Sequence, residues 1–236
     1  LVLLVAVVFL VANLVYSLVS RSPAPLVGAA IKSACVACWL YTTRRGKFVV
    51  WSGLLDQLGL RGDERVLDLG CGRGAVLLMA AGHLTTTGRA IGVDIWSQGD
   101  QSGNAAAAAE SNARAEGVAD RVELHTADMT SLPFGDDSFD VIVSNVAIHN
   151  IKAQSGRDKA IDEALRVLRP GGRLLIADIS ATGQYQARLA ALGATDVTRR
   201  NLGWRLWWGG PWMPTYLLTA TKPGTRGLRR PISEKP

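Results

Sequence analysis

Residues 65–81, RVLDLGCGRGAVLLMAA, constrain the fold more than any other stretch of the chain. Val66, Leu67, Asp68 and Leu69 read as a short strand buried on both faces. Gly70, Cys71, Gly72, Arg73 and Gly74 then form a tight turn, and Ala75 opens a helix. A strand that passes through a glycine turn into a helix N-terminus makes a nucleotide-sized site at the carboxyl edge of a parallel sheet. The glycines admit positive φ and let a ligand approach the backbone. By itself the turn does not name the ligand. Its pattern is GxGxG rather than GxGxxG, because residue 75 is Ala, and a nicotinamide or flavin site stays open at this point. No GK[ST] follows, which excludes a P-loop.

The rest of the chain alternates strands with helices. An approach helix over 48–58 precedes the first strand. The second strand is 89–94, ending in Asp94, and a helix follows over 104–116. The third strand, 122–126, leads to Asp128. The fourth is 139–144. A helix over 159–168 stops at Pro170-Gly171-Gly172, ahead of a fifth strand over 173–178. A helix over 185–192 and two last strands, 198–208 and 215–221, complete the pattern. Such alternation predicts an α/β fold with seven strands, in a mostly parallel sheet covered by helices on both faces.

The acidic residues narrow the ligand. Asp68 lies inside the strand before the turn. Asp94 ends the second strand, where a carboxylate can accept ribose hydroxyls. Asp128 closes the third. Together with VLDLGCGRG (66–74), GVDI (92–95), ADMTSLPFGDDSFDVI (127–142) and LRVLRPGGRLLIAD (165–178), the chain resembles the class I S-adenosylmethionine-dependent methyltransferases of the small-molecule and lipid type. The four motifs, in order, cover nearly all of 62–180. The resemblance implies a Rossmann-like sheet closed by a C-terminal antiparallel hairpin, and S-adenosyl-L-methionine as cofactor. Gly70, Gly72 and Gly74, with Cys71 between them, would run along its methionine part, and Asp68 would support the turn or the amino group. Asp94 would hold the ribose, Ile95 and Trp96 would flank the adenine, Asp128 would meet the adenine amino group, and the Met129 backbone would contact the ring. Ser144 and Asn145 would line the floor beneath the sulfonium. No metal is implied.

Such an enzyme aligns a nucleophile with the activated methyl and excludes water. A base is needed only where the acceptor is protonated. His149, in SNVAIHN after the fourth strand, is the candidate, histidine being the side chain type most often used as a general base. Asn145 and Asn150 are candidates to orient the acceptor; His83 and His125 read as structural. The fourth strand is not followed by Asn-Pro-Pro-Tyr or Asp-Pro-Pro-Tyr, which argues against the family members that methylate amide or exocyclic nitrogens. The polar stretch 96–104 reads either as a lid over the adenosine or as a helix-capping loop. Within it, Asp100 and Gln101 are weaker substrate-contacting candidates.

Residues 1–19 are almost wholly apolar and long enough to span a bilayer. A second apolar run, 26–41, carries Lys32, and reads as a hairpin return or as an interfacial helix with Lys32 snorkelling. Cys35 and Cys38 have CxxC spacing in apolar surroundings, which suits small packing residues better than a metal or redox pair. Arg21, Lys32, Arg44, Arg45 and Lys47 meet no acidic residue in 1–47, whereas the stretch between 48 and 221 carries more acidic than basic residues. That distribution points to anionic headgroups rather than nucleic acid. Trp204, Trp207, Trp208 and Trp212 crowd the last hairpin, either beside a bilayer or filling the sheet edge. The expected organisation is a membrane-spanning or interfacial segment (1–47), a methyltransferase domain on the cytoplasmic side (48–223) and a basic tail (224–236). The expected acceptor is an O or N nucleophile of a small or lipidic molecule. A protein methyltransferase and a cofactor-binding membrane scaffold without turnover are the alternatives.

Overall fold

A computed structural model describes residues 2–20, 24–97, 99 and 103–224. The chain divides into two units, Leu1–Val50 with Asn201–Thr215, and Trp51–Arg200 with Tyr216–Pro236.

The larger unit is built around β1 (Arg65–Leu69). Its neighbours are β2 (Arg89–Asp94) and β4 (Phe139–Asn145), both parallel to it, with Leu67 opposite Ile91 and Ile142. Consecutive residues Val66 and Leu67 point to opposite faces and both are fully buried, so helices cover the sheet on each side. Adding β3 (Val122–Thr126), β5 (Leu168–Asp178), β6 (Thr195–Asn201) and β7 (Tyr216–Thr221) gives the order β3-β2-β1-β4-β5-β7-β6. β7 runs antiparallel to β5, with Asp178 opposite Tyr216. This is the seven-stranded α/β architecture that the alternating pattern predicts. α4 (Ala75–Gly82) packs on β1 and β2, α5 (Ala106–Ala115) on β3, and α6 (Gln154–Val167) with α7 (Thr182–Ala191) over β5 and β7. Ile161, Leu165, Tyr185 and Leu189 from these last helices close the core over Ile142, Ile176 and Leu218.

Several boundaries differ from the sequence expectation: α6, α7 and β6 open at Gln154, Thr182 and Thr195, a few residues early, and two further differences change the topology. α6 ends at Val167 and extended backbone begins at once, because Gly171 N donates to Lys222 O (2.8 Å) and Lys222 N returns a bond to Gly172 O (3.0 Å). The Pro-Gly-Gly run is therefore part of β5 rather than a turn before it. The predicted strand over 198–208 ends at Asn201. Beyond it lies a short 3₁₀ turn, Trp204–Leu206, and an isolated bridge between Trp207 and Pro214.

In the smaller unit α1 (Val2–Ser20) packs against α2 (Ala24–Tyr41). A π-helical turn, Thr42–Gly46, joins α2 to α3 (Lys47–Leu58). The helical run Ala24–Leu58, 35 residues, is long and apolar enough to cross a membrane by length and composition. Val11, Val15, Leu18 and Val19 of α1 and Val27 and Ile31 of α2 are exposed. Segment Asn201–Thr215, which sequence order assigns to the methyltransferase domain, packs with these helices.

Candidate active site

The ends of β1, β2, β3, β4 and β5 form one edge of the sheet, as the pairings Leu69–Val93, Asp94–Thr126 and Asn145–Ala177 require. At the centre of that edge is the glycine turn. Gly70 N and Cys71 N both donate to Val93 O (2.8 and 3.1 Å), so the turn folds over the end of β2. Gly70 has φ +73°, and a Cβ there would collide with Ala147 Cβ and lie 3.3 Å from Met129 Cε. Residues from the ends of β1, β3 and β4 therefore converge on bare backbone, where a side chain would not fit. Cys71 is buried, and burial with the nearby Asp68 and Asp94 charges pushes its thiol far above the usual range, which makes it a packing residue of the turn.

Asp94 is the organising carboxylate of this half. Its Oδ2 accepts from Gly72 N (2.8 Å), and its Oδ1 from Trp96 N (2.6 Å) and Asn104 Nδ2 (3.1 Å). A carboxylate has about four acceptor positions, so about one stays open for a hydroxyl. Trp96 takes φ +58° and its Nε1 donates to Thr126 Oγ1 (2.8 Å), which fixes the indole beside the end of β3. Ile95 is 61% exposed. Asp68 is fully buried, and Oδ1 has no hydrogen-bond partner among the described residues. Burial, reinforced by the Asp94 charge and opposed by the Leu77 N–H, raises its carboxyl to about 7.

Asp128 is exposed and accepts from Thr130 N (2.8 Å). The loop after it is held by α6: Leu132 N donates to Glu163 Oε2 (2.7 Å), while Arg166 binds Glu163, the Leu132 and Phe134 carbonyls and Asp136. The Arg166 guanidinium holds the Glu163 carboxyl below its usual range. Residues 98 and 100–102, which include Asp100 and Gln101, lie outside the described residues.

The β4 side is arranged differently. Ser144 is fully buried and gives its hydroxyl to Leu69 O (2.8 Å), so its side chain ties β4 to β1 rather than lining an open floor. Asn145 accepts from Trp51 Nε1 on Oδ1 (2.8 Å). Indole nitrogen only donates, so this bond fixes the amide orientation and leaves Nδ2 facing away from Trp51. Val146 and Ala181 join Trp96 in adopting positive φ just past strand ends, which concentrates backbone strain along this edge. Asn150 is exposed.

His149 follows in a short 3₁₀ turn. Its Nδ1 lies 2.6 Å from Asp178 Oδ1, an ion-pair separation off the line of an ideal hydrogen bond, and its backbone N donates to Asp178 Oδ2 (3.1 Å). Asp178 is completely buried at the end of β5 and also accepts from Ile179 N (2.8 Å) and Tyr185 OH (3.4 Å). The imidazole is about one-fifth exposed. A partly exposed imidazole aimed by a buried carboxylate is the arrangement of an oriented general base. Asp178, Trp51 and Asn104 escape a sequence reading. Asp178 lies inside the motif LLIAD and carries a position signal, but its partner is not visible in one dimension.

Residues 60–201 match a family model described as a methyltransferase domain. The chain belongs to that family, and its class is that of the S-adenosylmethionine-dependent methyltransferases. It is 38% identical over 130 residues to the methyltransferase GfsG of Streptomyces halstedii, covering 55% of this chain and 43% of that protein. It is 36% identical over 127 residues to the 27-O-demethylrifamycin SV methyltransferase of Amycolatopsis mediterranei (53% and 42% covered). It is also 36% identical over 117 residues to a demethylmenaquinone methyltransferase of Clavibacter sepedonicus (50% and 42%). The matches span less than half the length of each of these relatives. Among solved structures, the [4+2]-cyclase SpnF superposes with a TM-score of 0.59 at 24% identity, covering 73% of this chain and 82% of that one. YcgJ of Bacillus subtilis gives 0.58 at 22%, covering 74% and 98%. At these identities the structures share the fold alone.

Proposed function

We propose that this protein transfers a methyl group from S-adenosylmethionine to a hydroxyl or amine of a small or lipidic acceptor at a membrane, with its catalytic domain on the cytoplasmic side. The observation that carries the transfer chemistry is the 2.6 Å approach of His149 Nδ1 to the buried Asp178.

The residues of the sheet edge fit the cofactor. The methionine part runs along the backbone of Gly70–Gly74, with Ala147 and Met129 closing on Gly70 and Cys71 packing the turn from within. The orphaned Asp68 Oδ1 offers an acceptor toward the amino group, directly or through water. Asp94 has an open position for a ribose hydroxyl, and a second hydroxyl reaches it only if Asn104, its longest partner, yields. Ile95 and Trp96 flank the adenine, and Asp128 with the Met129 backbone meets its edge. Bound S-adenosylmethionine supplies a methyl group already activated on a cationic sulfur.

The chain's own residues then handle the acceptor. Asn145 Nδ2 orients the acceptor atom. His149 takes its proton on Nε2, because Nδ1 faces Asp178. The Asp178 carboxylate stabilises the imidazolium so formed and acts as a positioning residue. Membrane residence is supported by the exposed apolar faces of α1 and α2 and by the length of Ala24–Leu58. Relatives named for rifamycin and demethylmenaquinone methylation make small organic acceptors the natural class.

The test is incubation of the full chain with methyl-labelled cofactor and a membrane-lipid extract. Label entering an extractable lipid or small molecule, with stoichiometric S-adenosylhomocysteine, is the expected result. Binding of cofactor with no S-adenosylhomocysteine would turn the reading to a scaffold, and label in protein would turn it to a protein methyltransferase.

A further inference from the structure

The smaller unit contains a feature that methyl transfer does not use. After β6 the segment Asn201–Thr215 is built onto the C-terminal end of α2. Thr42 Oγ1 donates to Trp207 O (2.6 Å), and Cys38 Sγ reaches the same carbonyl at 3.4 Å. The rings of Tyr41 and Trp204 stack with centroids 5.0 Å apart. Gly46 lies against the Arg205 carbonyl so closely that any Cβ would overlap it. The segment is also tied internally: Thr215 Oγ1 donates to Leu206 O (2.8 Å), Trp208 Nε1 donates to Thr215 Oγ1 (3.1 Å), and Leu202 N donates to Thr215 O (3.0 Å). Its aromatic side chains are thus fixed on a braced loop.

The outer surface of this assembly is apolar and cationic. Trp212 is 67% exposed, and Trp39, Phe48, Val49, Trp204 and Met213 are exposed with it. Arg44, Arg45 and Arg205 are exposed as well, and the Arg205 guanidinium lies 5.0 Å from the Trp204 ring centre. By sequence the unit holds Arg21, Lys32, Arg44, Arg45, Lys47 and Arg205 and no Asp or Glu, so the +6 of the whole chain resides in it and the larger unit is neutral. A patch of large apolar side chains is costly in water and marks an interaction surface. Indole rings favour the bilayer–water boundary, and guanidinium groups match phosphate oxygens. Exposed aromatics and cations, in a unit whose sequence carries no acidic residue, complement an anionic lipid surface.

We propose that Asn201–Thr215, mounted on residues 38–49, is a bilayer-interface element that binds anionic lipid headgroups. This rests on the membrane reading above and adds to it. The protein grips the bilayer through two segments far apart in sequence, the second of them inserted between β6 and β7.

The test uses the full chain in flotation with vesicles of phosphatidylcholine alone or with added phosphatidylglycerol. A Trp212→Cys variant, in a Cys35→Ser, Cys38→Ser background, carries an environment-sensitive fluorophore; the remaining Cys71 is buried. Stronger flotation with the anionic vesicles and a blue shift of the fluorophore are expected. Replacing Arg44, Arg45 and Arg205 together by Gln should reduce the anionic preference on the order of a hundredfold, while retained cofactor binding shows that the variant folds. Equal flotation with both vesicles and a silent fluorophore overturn the interface element and leave the membrane reading standing. A chain that floats with neither overturns both, and a chain that binds duplex nucleic acid while ignoring vesicles does the same.

Discussion

Two carboxylates at strand ends organise the two halves of the sheet edge, and they are used in opposite ways. Asp94 at the end of β2 is held by backbone and amide donors, Gly72 N, Trp96 N and Asn104 Nδ2; it holds the turn and, in the proposed function, receives a ligand hydroxyl. Asp178 at the end of β5 is more deeply buried, takes backbone donors from His149 and Ile179, and aims its remaining capacity at an imidazole. The first carboxylate fixes geometry for binding. The second fixes the orientation of a group that can change its protonation. On the proposed function, one edge separates into a binding half and a proton-handling half, and mutations on each should change different quantities.

The sharpest test of that division is His149→Ala. We expect kcat to fall about a thousandfold with cofactor affinity unchanged, because general base catalysis is worth about 10²–10⁴-fold. A comparable fall in cofactor affinity, measured by calorimetry, would erase the division. Next comes Asp68 on the binding half. Its carboxyl is raised from 3.8 to about 7 by burial, so between those values the folded chain keeps a proton that the unfolded chain has lost. Stability of the cofactor-free protein from this group should thus be full below about pH 4, fall by about 4 kcal/mol as pH rises from about 4 to about 7, and level off above. Asp68→Asn should flatten that slope in chemical denaturation, whereas parallel curves for the two proteins would sink the assignment.

Asp94→Ala orphans three donors and should weaken cofactor binding on the order of a hundredfold, at a cost of about 1–3 kcal/mol per unsatisfied group. Unchanged affinity would remove Asp94 from the site. The smallest expected effect is Asp178→Asn, about tenfold to a hundredfold in kcat. As a positioning residue it should act through His149, so in a His149→Ala background the same change should add little. Full additivity of the two changes in kcat would make Asp178 merely structural.

The binding half was largely legible in the sequence. β1, β2 and β3 begin and end where the apolar runs do, and Gly70, Asp94 and Trp96 fall at the turn and strand end that their local pattern marks. The proton-handling half was legible only as His149, because Asp178 lies 29 residues away on the adjacent strand. Ser144 shows the converse. Its position suggested a floor residue, but parallel pairing carries its hydroxyl to Leu69, 75 residues back. The aromatic stretch 204–208 reads as a strand by composition, yet the segment is drawn to α2 by Thr42, across 165 residues.

By itself the sequence determined the alternation of strands and helices, the glycine turn, the carboxylates that close β2 and β3, and the concentration of positive charge in the first residues. Each follows from side chains within about one element of one another, where periodicity, turn chemistry and propensity act. Only the tertiary structure decided that Asp178 aims His149, that Trp51 orients Asn145, and that Asn201–Thr215 leaves the sheet for α2. Those outcomes depend on strand order and on which buried polar groups find partners. Both are settled by contacts between distant segments, because a buried donor or acceptor must be satisfied wherever the fold brings it.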